Sequence, residues 1–473
     1  MLFNSIDFLI FFPVVFVLYW FLNERLGLQN ILLLIASYIF YAWWDWRFLS
    51  LIVISSIIDF VAGLKIYNSE ENQMNRKFWL IVSLTANLGF LSIFKYYNFF
   101  AESFTQAVKV FGWEPNNLTL DIILPVGISF YTFQTLSYTI DIYRRDFKPT
   151  KNILSFFTYI AFFPQLVAGP IERASNLLPQ IEKKRFFNKE WFKEGFLQIF
   201  VGLFRKIVIA DTLAIYVDTI YEDPSLYNSS TVLLATVFYA FQIYFDFSGY
   251  SDIAIGTAKL LGFKFNQNFN LPYFSKSLTE FWRKWHMSLS YWLRDYLYIS
   301  LGGNRKGIKI TYRNLMLTML LGGLWHGSSW NFIIWGGIHG IVLGIEKYIT
   351  SEPKFNFRKK ISFLGYPITF FIVILAWIFF RAQTFELAMS ALHKILFYEK
   401  GMPFIGDINV MSNSILVLLL GIFLDFYLFR TKVPLEELGK RLSIPQLTVL
   451  ASIIIVIMTL FYSASNNFIY FQF

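Results

Sequence analysis

The chain has 473 residues, of which 56% are hydrophobic, 21% aromatic and only 15% charged, with no cysteine and a formal net charge of +10. Soluble proteins carry about 25% charged residues, so this composition excludes an ordinary soluble chain and points to a polytopic membrane protein. The missing cysteines exclude disulfides, thiolate metal sites and a cysteine acyl-enzyme, and basic residues scattered among apolar runs suit cytoplasmic loops better than a nucleic-acid surface.

Apolar runs predict spans at 6–22, 31–44, 48–64 and 78–94. No basic stretch precedes residues 5–22 and no small-residue cleavage site follows, so they read as a first span and not as a cleavable leader. Lys95-Tyr96-Tyr97 makes an interfacial end to the fourth span. A polar loop is expected through Asn117, then a further span at 122–143. Basic residues gather at Lys65, Arg76 and Lys77, and again at Arg144, Arg145, Lys148 and Lys151, whereas 101–121 holds only Lys109. This asymmetry predicts an outside N-terminus with both basic loops in the cytoplasm.

Residues 153–180 are apolar but punctuated by Pro164, Gly169, Pro170 and Pro179, with Glu172 and Arg173 inside. Proline removes a backbone donor and breaks a helix, so a re-entrant element is expected. Lys183-Lys184-Arg185 reads as a solvated basic loop. The run 192–221 carries Arg205, Lys206 and Asp211, which predicts an interruption. In 232–261, Gln242 and Asp246 share a helix face, whereas Asp246 and Asp252 are about 240° apart. Intramembrane carboxylates mark a pathway or bond a neighbouring helix.

The 281–298 stretch reads as one amphipathic helix. Phe281, Trp285, Leu289, Trp292 and Tyr296 fall on one side, and Arg283, His286, Ser290 and Arg294 form a separate stripe. That stripe is either the solvated face of an interfacial helix or the contact for an anionic ligand such as a cofactor phosphate.

The run 315–345 has only two titratable side chains, His326 and His339. At about 1.5 Å per residue a straight helix of this length outruns a hydrocarbon core of roughly 30 Å. A break is expected near Gly322, Gly323 and Gly327, buried in protein or lining a cavity. His326 would then sit beside opened backbone within the membrane, where an ionisable group is costly and commonly functional. In an unbroken helix His326 and His339 would lie about 220° apart, so one pocket holding both needs the break. The last third predicts scaffold spans at 363–380, 415–429 and 447–461, with Asp425 near a span end and His393 on the surface. No polar stretch is long enough to form a separate soluble domain, so residues 1–473 read as a single integral membrane domain: N-terminal spans over 1–150, a catalytic core over 151–350 and scaffold over 351–473.

No two histidines are paired at helical spacing, and no His-Glu-x-x-His, Walker loop, Gly-x-Gly-x-x-Gly or complete nucleophile elbow occurs, so no catalytic metal is expected. A buried neutral imidazole suits general acid–base work on a hydroxyl.

Several ordered motifs resemble the membrane-bound O-acyltransferase (MBOAT) family, in its bacterial alginate O-acetyltransferase branch. They are Leu124-Pro125-Val126-Gly127-Ile128-Ser129-Phe130, Ala168-Gly169-Pro170-Ile171-Glu172-Arg173, Tyr244-Phe245-Asp246-Phe247-Ser248-Gly249-Tyr250-Ser251-Asp252, Glu280-Phe281-Trp282-Arg283-Lys284-Trp285-His286 with Arg294-Asp295-Tyr296, Leu301-Gly302-Gly303-Asn304-Arg305, and Gly323-Leu324-Trp325-His326-Gly327. The resemblance implies an all-α polytopic bundle, expected here to have about 11–13 membrane elements counting re-entrant ones. It implies acyl transfer, acetyl in this branch, from a cytoplasmic thioester such as acetyl-CoA or an acyl carrier, for O-acetylation of a cell-surface polysaccharide. The family's essential histidine matches His326 and a second matches His286. Trp325, Asp246 and Asp252 are candidates along the substrate path, and Arg283 and Arg294 for the donor. No tightly bound cofactor is expected. An extracytoplasmic partner enzyme and a place in the bacterial inner membrane, among its lipids, are implied. The alternatives are D-alanyl transfer to teichoic acid by a sister enzyme, a transporter of a lipid-linked substrate, and a structural subunit of an export complex.

Overall fold

The computed structural model describes residues 1–69, 71–116, 118–167, 169–351, 363–404 and 408–461. These residues are helical throughout apart from loops and a single bridge between Tyr227 and Met402. Among the described residues, six helical runs are long and apolar enough to cross a membrane: Leu26–Asn68, Gln73–Lys109, Ser229–Leu260, Trp330–Thr350, Ile408–Thr431 and Ile444–Phe461. Ile6–Phe21 and Gly365–Arg381 are shorter apolar helices. The chain is thus all-α and polytopic, as expected. Other elements fall outside that set of six because they are short, bent or charged.

The chain divides into two compact units, residues 1–189 with 257–266, and residues 190–256 with 267–473. In the first, Leu26–Asp45, Leu49–Asn68 and Gln73–Leu91 cover the predicted spans. A buried polar cluster joins three of its helices: Asp59 accepts from Ser83 Oγ (2.5 Å) and Asn87 Nδ2 (2.8 Å), and Asn87 Oδ1 accepts from Thr135 (3.1 Å).

Three expectations shift in this unit, the first being the solvated basic loop Lys183-Lys184-Arg185, whose Arg185 is buried against Gln29, Asn30 and Ile181. The helix that begins at Gln73 continues through a π-helical stretch, Ser92–Tyr96, into Tyr97–Lys109, where a loop was expected. Tyr97, Phe100, Ala101, Phe104 and Val108 recur at helical spacing, a signal the polar residues between them mask. The span expected at 122–143 starts only at Ile128. Pro125 has no donor, and Gly127 takes φ +76 with the Leu166 carbonyl 2.6 Å from where a Cβ would lie. The 153–180 stretch is broken as anticipated, into Ile153–Ala161, Phe163–Leu166 and Ala174–Ile181; Ala168 of its motif, like Asn117, lies outside the described residues. Glu172 is fully buried there, accepting from Asn266 N (2.6 Å), Asn266 Nδ2 (2.9 Å) and Asn176 Nδ2 (2.6 Å).

In the second unit, Lys189–Leu203 passes through a π-helical stretch, Phe204–Ala210, into Asp211–Glu222, so 192–221 is interrupted at its charged residues. Ile308–His326 and Trp330–Ser351 form an antiparallel hairpin. A Cβ on Gly323 would lie 2.1 Å from the Phe332 carbonyl oxygen, and one on Gly336 2.2 Å from that of Met319. Backbone atoms cannot yield as side-chain ends can, so the two helices approach this closely only through glycine.

Gly323→Ala and Gly336→Ala should therefore each cost about 1–3 kcal/mol or more through overpacking. Gly337→Ala, whose Cβ would meet only Leu320 Cδ2 at 3.6 Å, should be neutral or stabilising by up to about 1 kcal/mol. Thermal unfolding of detergent-purified protein, read by size-exclusion, checks the contrast; equal midpoints for all three variants would refute the packing argument.

Candidate active site

The hairpin places His326 at the last position of Ile308–His326, where Gly327 leaves the helix in an extended conformation (φ −159, ψ 154). The break thus lies at 327–329. Gly322 and Gly323, expected as break points, stay helical, and Gly323 serves the close approach instead. Gly327 is pressed against the Phe332 ring, 2.1 Å from where a Cβ would lie. Asn331, next on the returning helix, donates to the Ala382 carbonyl (2.9 Å).

His326 is 4% exposed. Its ring centroid is 5.0 Å from Trp325, 5.1 Å from Trp335 and 5.3 Å from Phe380, each near edge-on. Trp335 also touches His339 (4.7 Å), so the break brings both histidines onto one tryptophan. His286 lies 6.4 Å from His326, centroid to centroid, and 5.9 Å from Trp325.

His286 is not on a continuous amphipathic helix. Leu278–Trp282 ends before it, Met287–Trp292 follows it, and His286 itself takes φ +41 in the left-handed region. The physical reason is a backbone crossing: Asn270 N donates to Lys284 O and Met287 N to Asn268 O, both at 2.9 Å. The helical stripe is split as a result. Arg283 is exposed, His286 is fully buried, and Arg294 is exposed. Arg294 holds Asp295 at 2.6 Å and covers the Tyr291 ring at 4.8 Å.

Asn268 organises this corner. Its Oδ1 accepts from Ser288 N (3.3 Å) and Ser288 Oγ (2.9 Å), and its Nδ2 donates to Ser251 Oγ (3.0 Å). A backbone N–H can only donate, so the amide orientation is set by its partners. His286 Nδ1, 3.2 Å from Asn268 Oδ1, must then carry the proton, which makes Nε2 the basic nitrogen of the neutral ring. The same logic gives His339 the opposite tautomer, because the Trp282 indole N–H donates to its Nδ1 (3.3 Å).

Asp246 and Asp252 are held in buried ion pairs. Lys206 Nζ lies 2.7 Å from both Asp246 and Asp211, and Arg205 bridges Asp252 (2.7 Å) and Asp425 (3.0 Å). Arg205 and Lys206 are neighbours in the π-helical stretch, and each reaches a different carboxylate of Ser229–Leu260, Arg205 taking Asp252 and Lys206 taking Asp246. Phe247 on that helix packs edge-on against the His286 ring (4.6 Å). Asn268, Trp335 and Phe380 were not singled out from sequence: Asn268 sits in the short polar run Asn266-Gln267-Asn268, and nothing local marks it. Among the described residues no group of three His, Asp or Glu converges as a metal set.

The model of the membrane-bound O-acyltransferase family matches residues 147–389. A "Probable alginate O-acetylase" of Pseudomonas aeruginosa is 45% identical over 393 residues, 82% of this chain and 73% of that protein. A peptidoglycan O-acetyltransferase of Helicobacter pylori is 36% identical over 88% of this chain and 82% of its own length. A teichoic acid D-alanyltransferase of Bacillus subtilis is 27% identical over 58% of this chain and 72% of its own.

The ion pairs generate a stability prediction. Lys206→Met leaves Asp211 and Asp246 buried without their cation and should cost about 3–5 kcal/mol. Adding Asp211→Asn and Asp246→Asn to that variant should recover most of the lost thermal midpoint. Failure of the triple variant to recover would mean that the lysine acts through packing and not charge.

Proposed function

Because the chain belongs to the membrane-bound O-acyltransferase family, we propose that this O-acyltransferase moves an acetyl group from a cytoplasmic thioester to a cell-surface polysaccharide, with His326 as general base. The observation that carries the proposal is the placement of His326 at a buried helix break, its ring 6.4 Å from that of His286. The relatives with the higher identities are acetylating enzymes by name, acting on alginate or peptidoglycan, and the D-alanylating relative is more distant. This supports acetyl over D-alanyl transfer.

The chemistry follows from what each group lacks. A hydroxyl is a poor nucleophile at neutral pH, while a thioester is already activated. The missing part is a base within hydrogen-bond reach of the hydroxyl. As the acceptor oxygen attacks the thioester carbonyl, its proton passes to the neutral His326 imidazole. The new O–C bond forms, the C–S bond breaks, and the departing thiolate takes the proton back from the imidazolium. His286, with its tautomer held by Asn268, is suited to orient the acceptor or line its path. Trp325 forms part of the wall between the two rings. Asp246 and Asp252 act on this path indirectly, by holding the helix that carries Phe247. Of the two arginines proposed for the donor, Arg283 suits its phosphates better, since Arg294 already holds Asp295. Acetyl-CoA or an acyl carrier is the proposed donor, the bacterial inner membrane the proposed site, and an extracytoplasmic partner enzyme would complete transfer to sugar.

His326→Ala should lower turnover by about 10²–10⁴-fold with the protein still folded, and His286→Ala by less. Thiol release from labelled acetyl-CoA, in reconstituted protein with its partner, measures the first step; acetyl esters on the polysaccharide, by mass spectrometry, measure the whole. Equal activity of wild type and folded His326→Ala would remove the assignment. Movement of substrate with no loss of thioester would favour a transporter.

A further inference from the structure

A cavity of about 620 Å³ opens in the first compact unit, away from the histidines in sequence and in structural unit. Its size lies within the roughly 300–1,000 Å³ typical of small-molecule sites. Lys148, Thr150, Lys151, Asn152 and Ser155 line it from one loop and the first turn of Ile153–Ala161, and Glu182 lines it from another element. We propose that this cavity binds a phosphate ester.

Four independent features point to an anion. Lys148 and Lys151 are exposed cations on the wall against one carboxylate, and that carboxylate, Glu182, already accepts from Thr150 Oγ1. The helix beginning at Ile153 is capped by Asn152, whose side chain satisfies only Ser155 N (3.1 Å). The N–H groups of Ile153 and Leu154 have no partner within the helix, and such groups with the helix dipole favour phosphate. Ser155 is 1% exposed, yet its hydroxyl has no hydrogen-bond partner among the described residues. Buried polar groups are nearly always satisfied, and an orphan points to a missing ligand or water.

The fourth feature lies behind the wall. Asn30 also lines the cavity, and its Oδ1 accepts from Arg185 Nη2 at 2.7 Å. Arg185 is 4% exposed. It donates to the neutral oxygens of Gln180, Ile181, Gln29 and Asn30, interacts with the Tyr19 hydroxyl, and faces the rings of Tyr19 and Phe263. A buried guanidinium without a carboxylate gives the cavity wall a positive potential that a phosphate would complete. The phosphate can come from a lipid headgroup or from a soluble ester, and the test separates them.

The full chain, purified in detergent, is titrated with pyrophosphate at low ionic strength. In parallel it is extracted from nanodiscs of phosphatidylcholine with and without phosphatidylglycerol, and retained lipid is read by native mass spectrometry. Lys148→Gln with Lys151→Gln should weaken pyrophosphate binding about tenfold if the ligand is soluble, or abolish phosphatidylglycerol retention if it is a lipid. Ser155→Ala should weaken the same binding while leaving the thermal midpoint unchanged or raised, since removing an unpartnered buried hydroxyl does not destabilise. Lys183→Gln with Lys184→Gln makes the same charge change on residues that do not line the cavity, and should leave binding intact. The proposal falls if wild type binds neither probe, if the loop variant binds both as wild type does, or if the Lys183/Lys184 variant loses as much as the loop variant.

Discussion

The close passage of Ile308–His326 against Trp330–Ser351 is the constraint on which the histidine cluster depends. Broken backbone within a membrane protein must be enclosed by other protein or line a cavity, and here the enclosure is the hairpin itself. Phe332 folds its ring over Gly327, and its carbonyl meets Gly323. Only two glycines placed opposite backbone oxygens allow this separation. It sets how far Trp335 sits from His326 (5.1 Å), while the four-residue spacing on its own helix places Trp335 beside His339 (4.7 Å). A wider hairpin would carry Trp335 away from His326 and open the histidine to the surrounding solvent or lipid.

The buried charges serve a second, separable constraint. Each ion-pair group sets one cation against two carboxylates, Lys206 with Asp211 and Asp246, Arg205 with Asp252 and Asp425. Such groups contribute little net stability compared with apolar packing, because desolvation offsets the attraction. Their value is geometric. Asp246 and Asp252 point about 120° apart on one helix, so pairing both fixes its rotation. Between them in sequence, Phe247 meets the His286 ring, and Ser251 accepts from Asn268. The Gly202 and Gly249 carbonyls, each 2.6–2.7 Å from the Cβ position of the other glycine, bring Lys189–Leu203 against the same helix. Charge pairing and glycine packing together deliver the two contacts that hold His286.

What could be read from the sequence follows the range of the forces involved. Helix existence was legible because apolar periodicity is local: 26–45, 49–68, 229–260, 408–431 and 444–461 all form close to the predicted runs. The interruptions at 153–181 and around Arg205 were legible because proline and buried charge act on their own helix. The exact place of the hairpin break was not, because glycine reads alike whether it opens a turn or admits a neighbour; Gly323 does the second and Gly327 the first. The straight 281–298 helix failed for a related reason. Its pattern of residues was periodic, but hydrogen bonds from 268–270, distant in sequence, override local propensity and turn the chain at His286. Asn268 lay beyond reach for the same cause, since its role exists only across that crossing.

The tautomers sharpen the division of labour among the three buried histidines. A neutral imidazole has one basic nitrogen. In His339 that nitrogen is Nδ1, and it already accepts the indole N–H of Trp282, a group that can only donate. While that bond holds, His339 has no lone pair for a hydroxyl proton, so it suits supporting Trp335 rather than acting as a base. In His286 the bond to Asn268 leaves Nε2 basic, but the left-handed backbone and the Asn268 bond hold its ring in one orientation. His326 ends its helix at the point where the chain opens, with aromatic edges on three sides. These near-perpendicular rings enclose His326 in apolar surroundings. That leaves His326, more than His286 or His339, as the imidazole whose position suits the base of the proposed acyl transfer.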